Sequence, residues 1–233
     1  MPGGRARPWL GDVPGPPQII RSGLLPGGIL SRVLLAEWMA QVRERVSRQA
    51  RRRGHRIELG VRVPSRPAAG LALGLDAAAW ARAGLVDVVV VAPRWASIEF
   101  DLPLSDWREL LSGGNALLLG GLEILLGVHP AAPKRPVTAA EARGAALQLL
   151  AGGADGVYLF NYFPLAPGDA AGDATDWRGF DYAGTLRSLA DAAQLARLPR
   201  RHVLTYCDVT GPEGAGMFPP ALPATGSDLE FLL

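Results

Sequence analysis

The side chains best suited to chemistry in this sequence stand where apolar runs end. Asn161 and Tyr162 follow Val157 to Phe160, and Arg94 and Trp95 follow Leu85 to Ala92 through Pro93. Arg62 lies near the end of Ile57 to Val63, and Glu123 is the lone carboxylate in the run Asn115 to Leu126. If these runs are parallel strands, their C-terminal exits form the edge where α/β proteins bind ligands. Asn161 also suits a plain turn, and both readings stay open for it.

Other chemistries find little support. Cys207 is the single cysteine, which rules out an internal disulfide and offers no metal cluster. A cysteine nucleophile needs an adjacent base, and His55, His129 and His202 form no Cys/His motif with it. No G-x-G-x-x-G follows a strand to open a helix, so phosphate binding of that kind is the weakest option. The sequence therefore calls for no metal and no organic cofactor.

The elements that must position these groups alternate. Ser31 to Arg53 carries Leu34, Leu35, Trp38, Met39, Val42 and Val46 as the apolar stripe of a long helix, closed by Gly54. The arginines of Arg43 to Arg56 read as its solvated face, and with a net charge of only +2 no nucleic-acid partner is expected. A short helix follows Asp76 and ends at Gly84, and Pro103 to Leu111 forms another with Ser105 as its cap. Thr138 caps a fourth helix with Glu141 three positions on, and Gly152 and Gly153 stop it before Val157 to Phe160. That last run is apolar on both faces, as for a buried parallel strand. Tyr182 to Leu198 closes the series ahead of Pro199.

Four strands alternating with helices predict an α/β fold, a parallel sheet or barrel. Residues 1–30 read as a Pro/Gly-rich N-terminal loop, 31–200 as the α/β unit, and 201–233 as an incomplete β-rich segment. Asp87 and Asp155 precede their strands, at the stability face, and read as structural. Trp80, Trp107 and Trp177 read as packing residues or loop anchors. No apolar run is long enough to span a membrane, and the first residues lack a secretory h-region, so a cytoplasmic location is the default expectation.

Several motifs in order carry a resemblance: Arg62 to Pro64, Gly74 to Asp87, Asp101 to Pro103, and Gly153 to Asn161. Over about residues 55 to 200 the chain resembles bacterial family 10-like glycosyl hydrolases of the (β/α)8-barrel type. The resemblance implies a partial TIM-type barrel, with these strands as the fifth to eighth and a β-rich segment beginning after them. It implies hydrolysis of a glycosidic bond by two carboxyl groups. Glu123 would then be nucleophile or base, with Glu99 or Asp101 able to reach the same face, although Asp101 also suits a turn cap before Pro103. Arg62, Arg94, Trp95, Asn161 and Tyr162 would bind and stack on sugar. The first half of the barrel would be missing, so activity through truncation could be lost. The alternatives are a non-catalytic carbohydrate binder, or a self-assembling half-barrel whose sheet edges call for a homodimer.

Overall fold

A computed structural model describes residues 29–93, 97–127, 135–160, 186–189 and 191–203. Helix α1 (Ile29–Arg53) precedes β1 (Gly60–Pro64). Helices α2 (Pro67–Ala72) and α3 (Ala77–Arg82) lead to β2 (Val88–Ala92), and α4 (Leu104–Leu110) leads to β3 (Leu117–Glu123). A two-residue pair, β4 (Leu125–Leu126) with β5 (Arg135–Pro136), then α5 (Ala139–Ala151), leads to β6 (Gly156–Phe160), and α6 (Ala192–Arg197) follows.

The fold is α/β with a four-stranded parallel sheet in the order β1-β2-β3-β6. Each strand of this sheet pairs with the sheet's next strand along the chain, and among the described residues the order never reverses, unlike a doubly wound sheet. Val63, Val89, Val91, Leu118 and Leu122 turn to one face and are buried with Trp80, Trp107 and Leu149 of the helices. Gly120 belongs to this face because a Cβ there would stand 2.8 Å from Leu149 of α5. The strand runs through both Gly120 and Gly121, since each glycine makes room for a close neighbour.

The opposite face carries Arg62, Val90, Leu119, Gly121, Glu123, Tyr158 and Phe160, and it is concave. An ideal Cβ on Gly121 would fall 2.3 Å from that of Ala92 on the neighbouring strand, where flat strands lie about 4.8 Å apart. Strand β6 was expected to be buried on both sides, but Tyr158 is 37% exposed. The reason is position: β6 is an edge strand among the described residues, and helices cover only one of its faces.

The start of the sheet is locked twice by one device. Asp87, just before β2, donates its N–H to the Leu59 carbonyl and accepts the Leu59 N–H on its carboxylate, both at 2.8 Å. Arg43 of α1 reaches the same carboxylate at 2.6 Å and the Leu85 carbonyl at 2.8 Å. Asp155, just before β6, repeats this with Leu118, again 2.8 Å in both directions. Arg108 of α4 reaches Asp155 at 2.9 Å and the Gly153 carbonyl at 3.0 Å. Both arginines come from the helix before the first strand of the pair. Arg43 therefore departs from the solvated face expected of the α1 arginines, because an aspartate two strands along recruits it.

Several boundaries shift. Helix α2 was not anticipated: Pro at its first position favours it despite its brevity. Asp76 caps α3 by accepting the Ala79 N–H at 3.0 Å, as expected. Ser105 does not cap α4; Pro103 holds that position with no side-chain cap, and Ser105 lies inside the helix. The single helix expected over 182–198 is re-started at Asp191, whose carboxylate accepts the Ala193 and Gln194 N–H groups. His202 and Val203 are not in a strand, and the rest of the expected β-rich segment lies outside the described residues.

Candidate functional site

The C-terminal ends of β1, β2 and β3 gather the candidate groups. Glu123 ends β3 on the concave face, in register with Phe160 at the end of β6. Its side chain is buried, 2% exposed, and accepts the Ile124 N–H at 2.9 Å. Its burial excludes a surface carboxylate.

Glu99, 4% exposed, sits in the segment after β2. This segment is fastened to the exit of β3: Ile98 donates to the Leu125 carbonyl at 2.6 Å. Ser97 Oγ donates to the Gly127 carbonyl and accepts the Gly127 N–H, both at 3.0 Å. The fold thus brings the two segments bearing Glu99 and Glu123 together, and buries both carboxyl groups. Burial opposes ionisation of a carboxyl group unless donors compensate. Asp101, by contrast, is exposed.

Arg62 is exposed and donates to the Pro93 carbonyl at the end of β2. Its guanidinium carbon stands 4.1 Å from the centre of the Phe160 ring. The two strands flank β2 and β3, about 14 Å apart on a flat sheet, so only a curled sheet with both side chains leaning inward makes this contact easy. Cation, aromatic ring and carboxylate therefore share one concave end. Trp107 steadies it from below, its indole N–H donating to the Ser65 carbonyl at 2.7 Å in a buried contact. Arg94, Trp95, Asn161 and Tyr162 lie outside the described residues.

Two contributors were missed from sequence. Phe160 was read only as strand core, yet it is the surface on which Arg62 rests. His202, weighed only as a base for Cys207 and set aside, packs its ring 6.1 Å from that of Phe100, the residue after Glu99. Burial, with the nearby Arg200 charge, pushes the His202 imidazole below its ordinary value. The signal for either was long-range and absent from local pattern.

The opposite, N-terminal ends of the strands hold the shifted carboxylates. Burial pushes Asp87 up, but the Leu59 N–H and the Arg43 and Arg56 guanidinium groups outweigh it and hold the carboxyl at about 2. Arg108, helped by the Leu118 N–H, holds Asp155 below the ordinary range. These are structural ion pairs, as their positions before the strands led us to expect. No group of three or more His, Cys, Asp or Glu among the described residues is arranged to hold a metal ion.

A groove of about 790 Å³ lies elsewhere, on the outer helical side, lined by Arg66, Arg82, Asp106, Glu109 and Leu110. Volume alone would place a ligand there. Its charged groups are Arg66 just before α2 and surface residues of α3 and α4, and Arg82 already donates to the Leu110 carbonyl at 3.1 Å. The buried carboxyl groups at the strand ends are the better chemical candidates.

No helix among the described residues is long and apolar enough to cross a membrane. In comparison with known proteins, no family model matches the chain and no curated sequence matches it.

Proposed function

We propose that this chain is a glycoside-hydrolase-like barrel unit that binds carbohydrate at the C-terminal ends of its strands. In this reading Glu123 and Glu99 form the carboxyl pair that cleaves a glycosidic bond. The observation that carries it is the burial of both carboxyl groups on segments tied together by the Ile98 to Leu125 hydrogen bond. Such chemistry needs one proton donor and one nucleophile or base, about 5 to 10 Å apart depending on mechanism. Arg62 would orient sugar hydroxyls, and Phe160 would offer an apolar platform. Arg94, Trp95, Asn161 and Tyr162 complete the proposed sugar contacts, and the chemistry calls for no cofactor.

The test is turnover on a panel of nitrophenyl glycosides and plant and bacterial polysaccharides. Glu123→Gln and Glu99→Gln should each lower kcat by about 100-fold or more, with little change in thermal unfolding. Turnover unchanged in both variants would end the assignment. One observation favours a second reading, non-catalytic carbohydrate binding. The Glu123 carboxylate accepts the N–H of the residue that follows it, as a structural carboxylate also does. In that case the wild-type chain binds oligosaccharide but hydrolyses none.

A further inference from the structure

We propose that two copies of the chain pair edge to edge, β6 of one against β1 of the other, through the kind of seam that already joins β2 to β3. The repeated lock divides the sheet into two equivalent units. In each, an arginine on the preceding helix binds an aspartate just before the second strand, and that aspartate clasps a leucine at the start of the first strand, Leu59 just before β1 or Leu118 within β3. Leu59 and Leu118 are equivalent in this scheme, as are Asp87 and Asp155. Strands β1 and β3 therefore open a unit, while β2 and β6 close one.

The seam between units is visible inside the molecule. Val88, one residue after Asp87, pairs with Leu117, one residue before Leu118. Transferred to the two sheet edges, the same register sets Gly156 against Glu58, Tyr158 against Gly60, and Phe160 against Arg62 of the second copy. The faces agree: Tyr158 and Gly60 are both on the concave side, and Val157 and Leu59 both on the helix-covered side. Side-chain sizes agree as well. Tyr158, 37% exposed, would lie over Gly60, which offers no side chain to oppose it.

Both edge strands point the same way, so a twofold axis along the strands forms two identical seams at once and leaves no edge open. Leu117, 46% exposed at the concave face, would be enclosed by the same step. Among the described residues neither edge carries a further strand of the sheet. The proposal rests on the sheet and not on hydrolysis, so an inactive chain leaves it standing.

Light scattering of the full chain, from micromolar to tens of micromolar, should give twice the mass of one chain. In a Cys207→Ser background, Gly60→Cys with Tyr158→Cys should oxidise to a covalent dimer that a reductant reverses. Paired strands set these Cα atoms about 4.8 Å apart, within disulfide reach. Within one chain the two positions lie on opposite edge strands and cannot join. Moving the second cysteine to Leu159, which faces the other side, should abolish the cross-link. A wild-type mass of one chain throughout would overturn the proposal and mean that some other strands meet these edges. A dimer that forms the Leu159 cross-link as readily as the Tyr158 one would overturn the register.

Discussion

Asp87 concentrates structural duty, since one side chain serves the Leu59 backbone N–H and two arginines. Its folded value of about 2 lies below its ordinary 3.8. A depressed carboxyl stabilises above its unfolded value and loses that contribution as pH falls through the folded one. The stabilisation, about 2 kcal/mol, is therefore complete above about pH 5 and fades toward pH 2. Glu141 follows the same course: burial raises it, but Arg135 and the Thr138 N–H hold it at about 2. Urea midpoints measured from pH 6 to pH 2 should fall steeply in the wild type. Asp87→Asn should start lower by about 2 kcal/mol and show a flatter fall; an unchanged slope would contradict the role given to Asp87. The sequence disclosed Asp87 and Asp155 as structural because each directly precedes a strand. It did not disclose Arg43, whose partner stands 44 residues away, nor the contact of Arg62 with Phe160 across two intervening strands.

At the scale of elements, α5 was the most legible. Thr138 accepts the Glu141 N–H at 3.3 Å and Glu141 accepts the Thr138 N–H at 2.9 Å, the reciprocal cap that the spacing implied. The close approach to α5 was not legible. Arg201 donates its N–H to the Ala140 carbonyl at 2.9 Å, and a Cβ on Gly144 would fall 2.2 Å from the Arg201 carbonyl oxygen. Since that atom is backbone, Gly144→Ala must lift the 200–203 segment from α5. We expect a cost of about 1 to 3 kcal/mol and faster amide exchange at Arg201, measured by hydrogen exchange. Unchanged exchange at Arg201 would contradict the contact. Gly121→Ala should be worse tolerated than Gly120→Ala, because Gly121 faces Ala92 while Gly120 faces the movable end of Leu149; thermal unfolding orders the two. Strand edges shifted by a few residues because hydrogen bonding to neighbours, and not composition alone, decides where a ladder begins.

For the whole molecule, alternation of strands and helices made the parallel sheet readable, and apolar β-branched runs marked its strands. Curvature was not readable: it emerges from contacts such as Gly121 with Ala92, which no local pattern encodes. The site was legible in part. Exits of parallel strands pointed to Arg62 and Glu123, and the structure adds Phe160 and His202 through packing between distant segments. The groove between the helices offers a rival location. The two can be separated by amide shifts on titrating the isotope-labelled chain with gluco-, xylo- and N-acetylglucosamine oligosaccharides. The account predicts perturbations at residues 62–66, 97–102, 122–127 and 160, around the buried carboxyl groups. Perturbations confined to Arg82, Asp106, Glu109 and Leu110, or none with any of these sugars, would contradict it.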